Sequence, residues 1–416
     1  MIFSFVREAS PEARRALLAA SLGWMLDAFD VMLYSMVLAA LLPDLGITKA
    51  QAGLLGSVTL VASAAGGLIF GVVADRYGRT RALIASVLLY SLFTAACGLA
   101  QTLGQLAVFR VLLGIGMGGE WASGAALVAE TWPSAHRGKA LALMQSAYAI
   151  GYALAGIVAG VVLPRYGWRA VFFVGILPAL FTLWVRRNVE EPALWRARMS
   201  GSVPERRETQ GLGSPHIRGL TPQPLGRLTL ALTLMNACTM FGWWGLNLWV
   251  PAYLSLPPAE GGVGLTPQTM AIFIVAMQAG MWLGYVTFGF VADRIGRKRA
   301  YVGYVLLASG LLPLYGATRE PYLLLALGPF VAFFGTGYFA GFGAITAEIY
   351  PTAIRATAQG FTYNTGRIAS AVAPYVVGSL AAARGFGTAF AVAGAAFLLA
   401  AVIWIWIPET KGRALA

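Results

Sequence analysis

Long apolar runs separated by short polar punctuation make up almost the whole chain. Twelve stretches are long and apolar enough to cross a bilayer as helices: 17–42, 52–74, 82–101, 105–129, 139–163, 168–186, 228–254, 269–291, 300–317, 321–347, 356–382 and 385–407. About 20 apolar residues cover the hydrocarbon core, and a helix is required because no water there satisfies the backbone. Six runs precede a polar segment, 187–226, and six follow it. That segment carries Pro204, Pro215, Pro222 and Pro224 among Gly, Ser, Arg and Glu, and reads as a linker. The pattern predicts an all-α integral membrane protein with twelve transmembrane helices in two six-helix bundles, 1–186 and 227–416, joined by linker 187–226. Glycines recur inside the runs, as in Gly114, Gly116, Gly118 and Gly119 or Gly151, Gly156 and Gly160, where small residues let helix backbones approach in lipid.

The chain also repeats itself. Gly71-Val-Val-Ala-Asp75-Arg76-Tyr-Gly78-Arg79 returns 218 residues later as Gly289-Phe-Val-Ala-Asp293-Arg294-Ile-Gly296-Arg297. Glu130-Thr-Trp-Pro133-Ser-Ala-His-Arg137 returns at the same offset as Glu348-Ile-Tyr-Pro351-Thr-Ala-Ile-Arg355. Two unrelated patterns sharing one offset mark a duplication in tandem. In a membrane protein a parallel duplication suggests two transporter halves around a central site.

Composition agrees with the membrane reading, since apolar residues make up 58% and charged residues 11%. The net charge of +13 would suggest nucleic acid in a soluble chain, but its distribution excludes that partner. Of 30 Lys and Arg, only Lys49, Arg165, Arg169, Arg319 and Arg384 fall on one side, and Arg110 and Arg367 fall inside spans. The others flank the opposite ends of the spans, which by the positive-inside rule makes both termini and the linker cytoplasmic. Residues 1–16 lack a small-residue cleavage site and read as a cytoplasmic lead. Cys97 and Cys238 lie in spans as packing residues, and a structural disulfide is not expected. There is no metal-ligand spacing, no phosphate-cradling loop and no nucleophile triad, so neither a cofactor nor an enzymatic activity is expected.

The Gly-x-x-x-Asp-Arg-x-Gly-Arg loops resemble the signature loop of the major facilitator superfamily. Arg110-Val-Leu-Leu-Gly114-Ile-Gly-Met-Gly118 is similar to the arginine-and-glycine motif of that superfamily's fourth helix. More narrowly, Leu26-Asp27-Ala28-Phe29-Asp30 and Gly118-Gly119-Glu120-Trp121 resemble the sialate/lactate (monocarboxylate) and aromatic-acid proton symporters, with Ala28 pointing to the former branch. The resemblance implies alternating access by rocking of two bundles. The paired loops would then form a cytoplasmic latch of Gly71, Asp75, Arg76, Arg79, Glu130 and Arg137 in one half. Gly289, Asp293, Arg294, Arg297, Glu348 and Arg355 would form it in the other.

An ionisable group at bilayer depth costs about 2.5–3.5 kcal/mol on insertion scales, so the five inside the spans carry most of the information. Asp27 and Asp30 share a face of span 1, continued by Tyr34. Two carboxylates this close in a low dielectric resist joint ionisation, which suits proton coupling. They could instead be structural, hydrogen-bonded acids. Arg110 and Glu120 lie about 15 Å apart along span 4, too far to pair directly. Arg110 could meet an acid of span 1, and Glu120 is a second protonation candidate or a packing acid held by hydroxyls. Arg367 sits near the midplane of span 11, either as an anchor for a substrate carboxylate or in a salt bridge to Asp27, Asp30 or Glu120. None of the five has a charged twin at the 218-residue offset, which falls on Gly245, Leu248, Gly328, Tyr338 and Ala149.

Amides and aromatics complete a plausible substrate cavity. Gln145, Tyr148 and Tyr152 share a face of span 5, and Asn236, Met240, Trp243 and Asn247 one of span 7. Gln278, Trp282 and Tyr285 share one of span 8, while Tyr363 and Asn364 cluster with Arg367. The expectation is a proton-coupled symporter importing a small organic anion, working as a monomer in a plasma membrane of the bacterial inner-membrane type. The alternative is a proton-coupled exporter of lipophilic cations, which a buried Arg367 disfavours.

Overall fold

A computed structural model places these runs in space. The structure describes residues 4–193, 195–196, 225–351 and 354–411, without the side chains of 4–5, 121–122, 134–135, 137–138, 186 and 355–357. After a short helix at Ser4–Glu8 come α1 (Pro11–Asp44), α2 (Lys49–Tyr77), α3 (Arg79–Cys97), α4 (Leu103–Thr131), α5 (Ser134–Val174) and α6 (Pro178–Asn188). Then follow α7 (Leu225–Ser255), α8 (Pro267–Ile295), α9 (Arg297–Ala317), α10 (Pro321–Thr336), α11 (Phe339–Ile349), α12 (Arg355–Ser370) and α13 (Ala373–Ile403).

Among the described residues, nine helical stretches are long and apolar enough to cross a membrane. Two of them, Lys139–Val185 and Ala358–Trp406, run for 47 and 49 residues, about twice the length a crossing needs. Within each, a single glycine separates two spans, Gly167 (φ 76°, ψ 175°) and Gly385 (φ 80°, ψ 167°). Only glycine occupies that backbone region readily. Splitting those two stretches and adding α7, whose 31 residues are interrupted by Asn236, Trp243, Trp244 and Asn247, recovers the twelve spans. The two glycines are themselves 218 residues apart. In the first half the joint is also pinned: Trp168 Nε1 and Arg169 Nη1 donate to Asp44 Oδ2 at the end of α1, at 3.1 and 2.8 Å.

Spans 6, 10 and 11 are broken where continuous helices are expected. Span 6 turns at 175–177 between α5 and α6, span 10 at Gly337–Tyr338 between α10 and α11, and span 11 between Ser370 and Ala373. At the break in span 11 Pro374, in the first turn of α13, has no amide hydrogen to continue the helix. Pro374 O accepts Trp249 Nε1 at 2.9 Å instead.

Two compact units emerge: residues 1–204 with 250–278, and residues 205–249 with 279–416. The division differs from the sequence halves because the ends of α7 and α8 pack with the first unit. Lys49 Nζ donates to Glu260 O at 2.6 Å, and Gly156 and Gly160 of α5 lie against Ile274 and Ala271 of α8. Within the first unit α1 packs on α5, and α2 on α4. These contacts are backbone-close: a Cβ at Gly118 would overlap Ser63 O, and one at Gly151 would overlap Met25 O. In the second unit α9 packs on α13, and Gly280 of α8 meets the backbone of Pro329 in α10.

A Cβ at Gly385 would meet no atom within 4 Å, so Gly385→Ala tests backbone strain alone. Its expected cost is about 1–3 kcal/mol, read as a lowered melting temperature in detergent. A wild-type melting temperature would show that the joint tolerates a side chain.

Candidate functional site

The chemistry-bearing residues fall into one charged clamp per unit, an acid cluster in the first unit and a polar aromatic cluster in the second. The clamps are nearly superposable in sequence. Arg79 bonds Asp75 one turn before it and Glu130 of α4, the latter through Nε and Nη2 at 3.1 and 2.9 Å. Arg297 bonds Asp293 and, through Nε and Nη2 at 3.3 and 3.1 Å, Glu348 of α11. A guanidinium fork matched to two carboxylates is the geometry that lysine cannot reproduce. Arg76 and Arg294 stay at the loop surface, the former at 5.6 Å from the Tyr77 ring. A Cβ at Gly71 or Gly289 would meet nothing within 4 Å, so packing does not explain those two glycines. The side chains of Arg137 and Arg355 lie outside the described residues.

Each clamp contains an acid that the motif comparison missed. Asp75 and Asp293 suggest carboxylates at helix N-termini, but Glu191 and Glu409 fill that role. Glu191 accepts from Thr80 N and Arg81 N at 3.1 Å each, and Glu409 accepts from Arg297 N and Lys298 N at 2.8 and 3.2 Å. They cap α3 and α9, whose own N-caps, Gly78 and Gly296, offer no side chain. Partial burial raises the Glu409 carboxyl, but bonds from the amides of Lys411, Arg297, Thr410 and Lys298 outweigh it and hold the group below the usual glutamate range. Glu191 and Glu409 are again 218 residues apart, so the repeat offset alone would have found them.

In the first unit the three membrane acids gather. Asp27 and Asp30 of α1 and Glu120 of α4 are each no more than 1% exposed. Asp27 lies within electrostatic reach of both Asp30 and Glu120. Gly23, one turn before Asp27, makes room: a Cβ there would sit 2.5 Å from Glu120 Oε1. Neither carboxyl oxygen of Glu120 has a hydrogen-bond partner among the described residues. Arg110 does not join the acids. Its Nε donates to Thr59 Oγ1 at 3.0 Å, its guanidinium lies 4.1 Å from the Tyr34 ring centroid, and it forms no ion pair among the described residues. Tyr34 is drawn away from the acid face too, its hydroxyl donating to Ala52 O at 2.9 Å. Four residues separate it from Asp30, and its hydroxyl is bonded to the α2 backbone. Tyr148 packs on Trp24 at 5.2 Å, Tyr152 lies against Ser35, Gln145 is half-buried, and Gln278 is buried.

In the second unit Arg367, 6% exposed, lies one turn from Tyr363 in α12, close to the break in span 11. Asn236 of α7 donates to the carbonyls of Thr362 and Tyr363 at 3.3 and 3.2 Å and so ties α7 to this helix. Asn247 Nδ2 donates to Trp243 O at 2.9 Å, and Asn364 Nδ2 to Gly360 O at 2.9 Å. Rings surround the cluster: Phe342 stands 5.8 Å from Tyr363, and Phe339 6.1 Å from Trp243. Tyr285 is buried near Tyr338, and Trp282 is half-buried.

A duplicated helical chain with matched clamps and buried, unmatched charges is a multi-pass membrane transporter. The chain belongs to the Major Facilitator Superfamily, whose sequence profile matches residues 20–261 and 232–416. It is 35% identical to a putative metabolite transport protein of Haemophilus influenzae over 96% of this chain and 97% of that one. It is 33% identical to a probable 4-methylmuconolactone transporter of Cupriavidus pinatubonensis, over 100% and 95%. It is 30% identical to a sialic acid transporter of Escherichia coli, over 95% and 94%. The crystal structure of a D-xylose-proton symporter has the same fold, with a TM-score of 0.75 at 20% identity, covering 96% of this chain and 99% of that one. These relatives are transporters of small organic substrates, and the expectation that the chain is no enzyme holds.

Removing either cap, as Glu191→Ala or Glu409→Ala, is expected to cost about 0.5–2 kcal/mol in thermal unfolding. Because the folded-state value of Glu409 is depressed, its stabilisation is fully present above the ordinary glutamate value of about 4.3 and is lost as pH falls through the lowered one. Glu409→Gln is therefore expected to flatten the acid limb of the melting-temperature profile. An unchanged limb would exclude the role.

Proposed function

We propose that the chain is a proton-coupled symporter that imports a small organic anion by alternating access. The observation that carries this reading is the segregation of buried charge. Three carboxyl groups share the interior of one unit, Glu120 without a basic partner among the described residues, and a buried arginine with a tyrosine neighbour lies in the other. A buried carboxylate is tolerated only when something neutralises it. Protons can do so reversibly, which a fixed ion pair cannot. Arg367 offers a permanent planar fork to a carboxylate, and co-binding of proton and anion cancels charges that would oppose an occluded intermediate. Asp27, central to the acid cluster, is the coupled carboxyl, with Asp30 and Glu120 in the same network. Asn236, Trp243, Asn247, Tyr363 and the rings of Phe339 and Phe342 supply the polar and apolar walls for the anion's body.

The named substrates of the relatives favour an organic acid, a lactone-type relative of one, or sialate over an amine. A buried Arg367 is also unsuited to a lipophilic cation. The clamps, one per unit, act as the cytoplasmic latch. The excess of Lys and Arg at that end puts both termini in the cytoplasm, in a bacterial-type inner membrane, and one chain of twelve spans suffices as a monomer.

A thermal-shift screen against lactate, benzoate, cis,cis-muconate and sialate identifies the anion, since a ligand at 100-fold its Kd stabilises by about 2.7 kcal/mol. With that anion, Arg367→Ala is expected to reduce uptake into proteoliposomes at least tenfold, the loss of one charge-assisted contact of about 1.5–3 kcal/mol. Asp27→Asn is expected to abolish accumulation driven by a pH gradient while exchange of anion for anion persists. Wild-type uptake in both variants would overturn the mechanism.

A further inference from the structure

We propose that Gly23 is a positioning residue for proton coupling, its missing side chain seating the Glu120 carboxyl against α1 beside Asp27, an assignment that rests on the proton-symport reading. A Cβ at Gly23 would stand 2.5 Å from Glu120 Oε1 and 3.4 Å from its carboxyl carbon. Oε1 therefore occupies space that any other residue at position 23 would fill. Asp27 follows four residues later on the same face of α1, and Cβ positions at that spacing are about 5–6 Å apart. Helix geometry alone thus makes the two carboxyls neighbours. Glu120 is fully buried, and neither of its oxygens has a hydrogen-bond partner among the described residues.

Gly23 differs from the glycines that bring helices together. A Cβ at Gly151 would lie 1.8 Å from Met25 O, one at Gly118 1.9 Å from Ser63 O, and one at Gly66 2.1 Å from Ile115 O. Those positions meet backbone, which cannot yield without parting the helices. At Gly23 the two nearest atoms belong to the end of a flexible side chain, and the third, Leu83 Cδ1, is at an ordinary 3.5 Å. Alanine would fit there once the carboxyl moved. Glycine is also the poorer helix former, so helix formation does not ask for it. What glycine supplies at this position is room for the carboxyl.

A second glycine completes the seat. Gly124 lies one turn beyond Glu120 on α4, and a Cβ there would stand 3.4 Å from the same oxygen, 3.4 Å from Ala20 Cβ and 3.3 Å from Met144 Cε. Two glycines, Ala20, Leu83 and Met144 therefore wall the seat, and none of their side chains can donate a hydrogen bond. Among the described residues, α1 brings Asp27 and α3 brings Tyr90 into electrostatic reach of Glu120. A carboxyl in such surroundings is held by shape rather than by bonds. Displacing it changes its distance from Asp27, and in a low dielectric that changes how strongly the charge state of one bears on the other.

The test uses the full chain reconstituted in lipid. Infrared pH-difference spectra should contain a protonated-carboxyl stretch that Glu120→Gln removes. Gly23→Ala should shift that stretch and keep a melting temperature at or above that of the wild type, because only the carboxyl has to move. Gly151→Ala, where backbone would have to move, should lower the melting temperature. A fall of the same size in Gly23→Ala would place Gly23 with the packing glycines and overturn the role. With cis,cis-muconate, benzoate and sialate each as probe, Gly23→Ala should lower uptake driven by a pH gradient about tenfold or more relative to anion exchange. Glu120→Asp shortens the side chain by one methylene and withdraws the carboxyl from position 23. On the Glu120→Asp background Gly23→Ala should therefore cost less than about twofold, a coupling that helix packing alone would not produce. An unshifted stretch, no stretch assignable to Glu120, or equal costs on both backgrounds overturns the positioning role. If Asp27→Asn and Glu120→Gln leave the proton dependence of uptake as in the wild type, the symport reading fails, and the role of Gly23 fails with it. If those two abolish it while Gly23→Ala does not alter it, the role of Gly23 alone is overturned.

Discussion

Everything in this chain follows from the absence of water in the hydrocarbon core. Without water the backbone must close its own hydrogen bonds, which leaves helices as the only element. Without a hydrophobic difference between lipid and helix surfaces, the helices must associate by backbone approach. Hence the contacts of Gly118 with Ser63 O and of Gly151 with Met25 O. The same constraint makes every membrane-depth charge expensive.

The duplication separates those two demands. Where the scaffold alone is at stake, the halves agree to the residue: the Arg79 and Arg297 forks, the Glu191 and Glu409 caps and the Gly167 and Gly385 joints all share one offset. Where chemistry is at stake they part. Glu120, with no hydrogen-bond partner among the described residues, corresponds to Tyr338, whose hydroxyl donates to Thr239 O at 3.2 Å and whose ring stacks on Phe339 at 4.7 Å. One half has satisfied that position, and the other has left its carboxyl oxygens unpaired among the described residues.

The sequence carries most of the architecture because span length and the repeat are both one-dimensional signals. The twelve runs, the loops and the five buried charges needed no coordinates. Three kinds of feature did. Breaks at Gly337–Tyr338 and after Ser370 depend on local backbone choices that hydropathy averages away, although Pro374 was a visible hint. Pairings across helices depend on azimuth: Arg110 turned to Thr59 and Tyr34 rather than to an acid, and Glu130 to Arg79. The caps Glu191 and Glu409 were hidden because a lone acid in a polar segment gives no sign of the helix it caps until the chain has turned back to it.

The joints at Gly167 and Gly385 have a mechanical meaning. A connection of several residues has slack, and slack lets two helices drift in tilt and rotation independently. A connection of one residue has almost none. Whatever displaces span 5 must therefore drag span 6 with it, and span 11 must drag span 12, so that each unit has fewer independent rods than its number of crossings suggests.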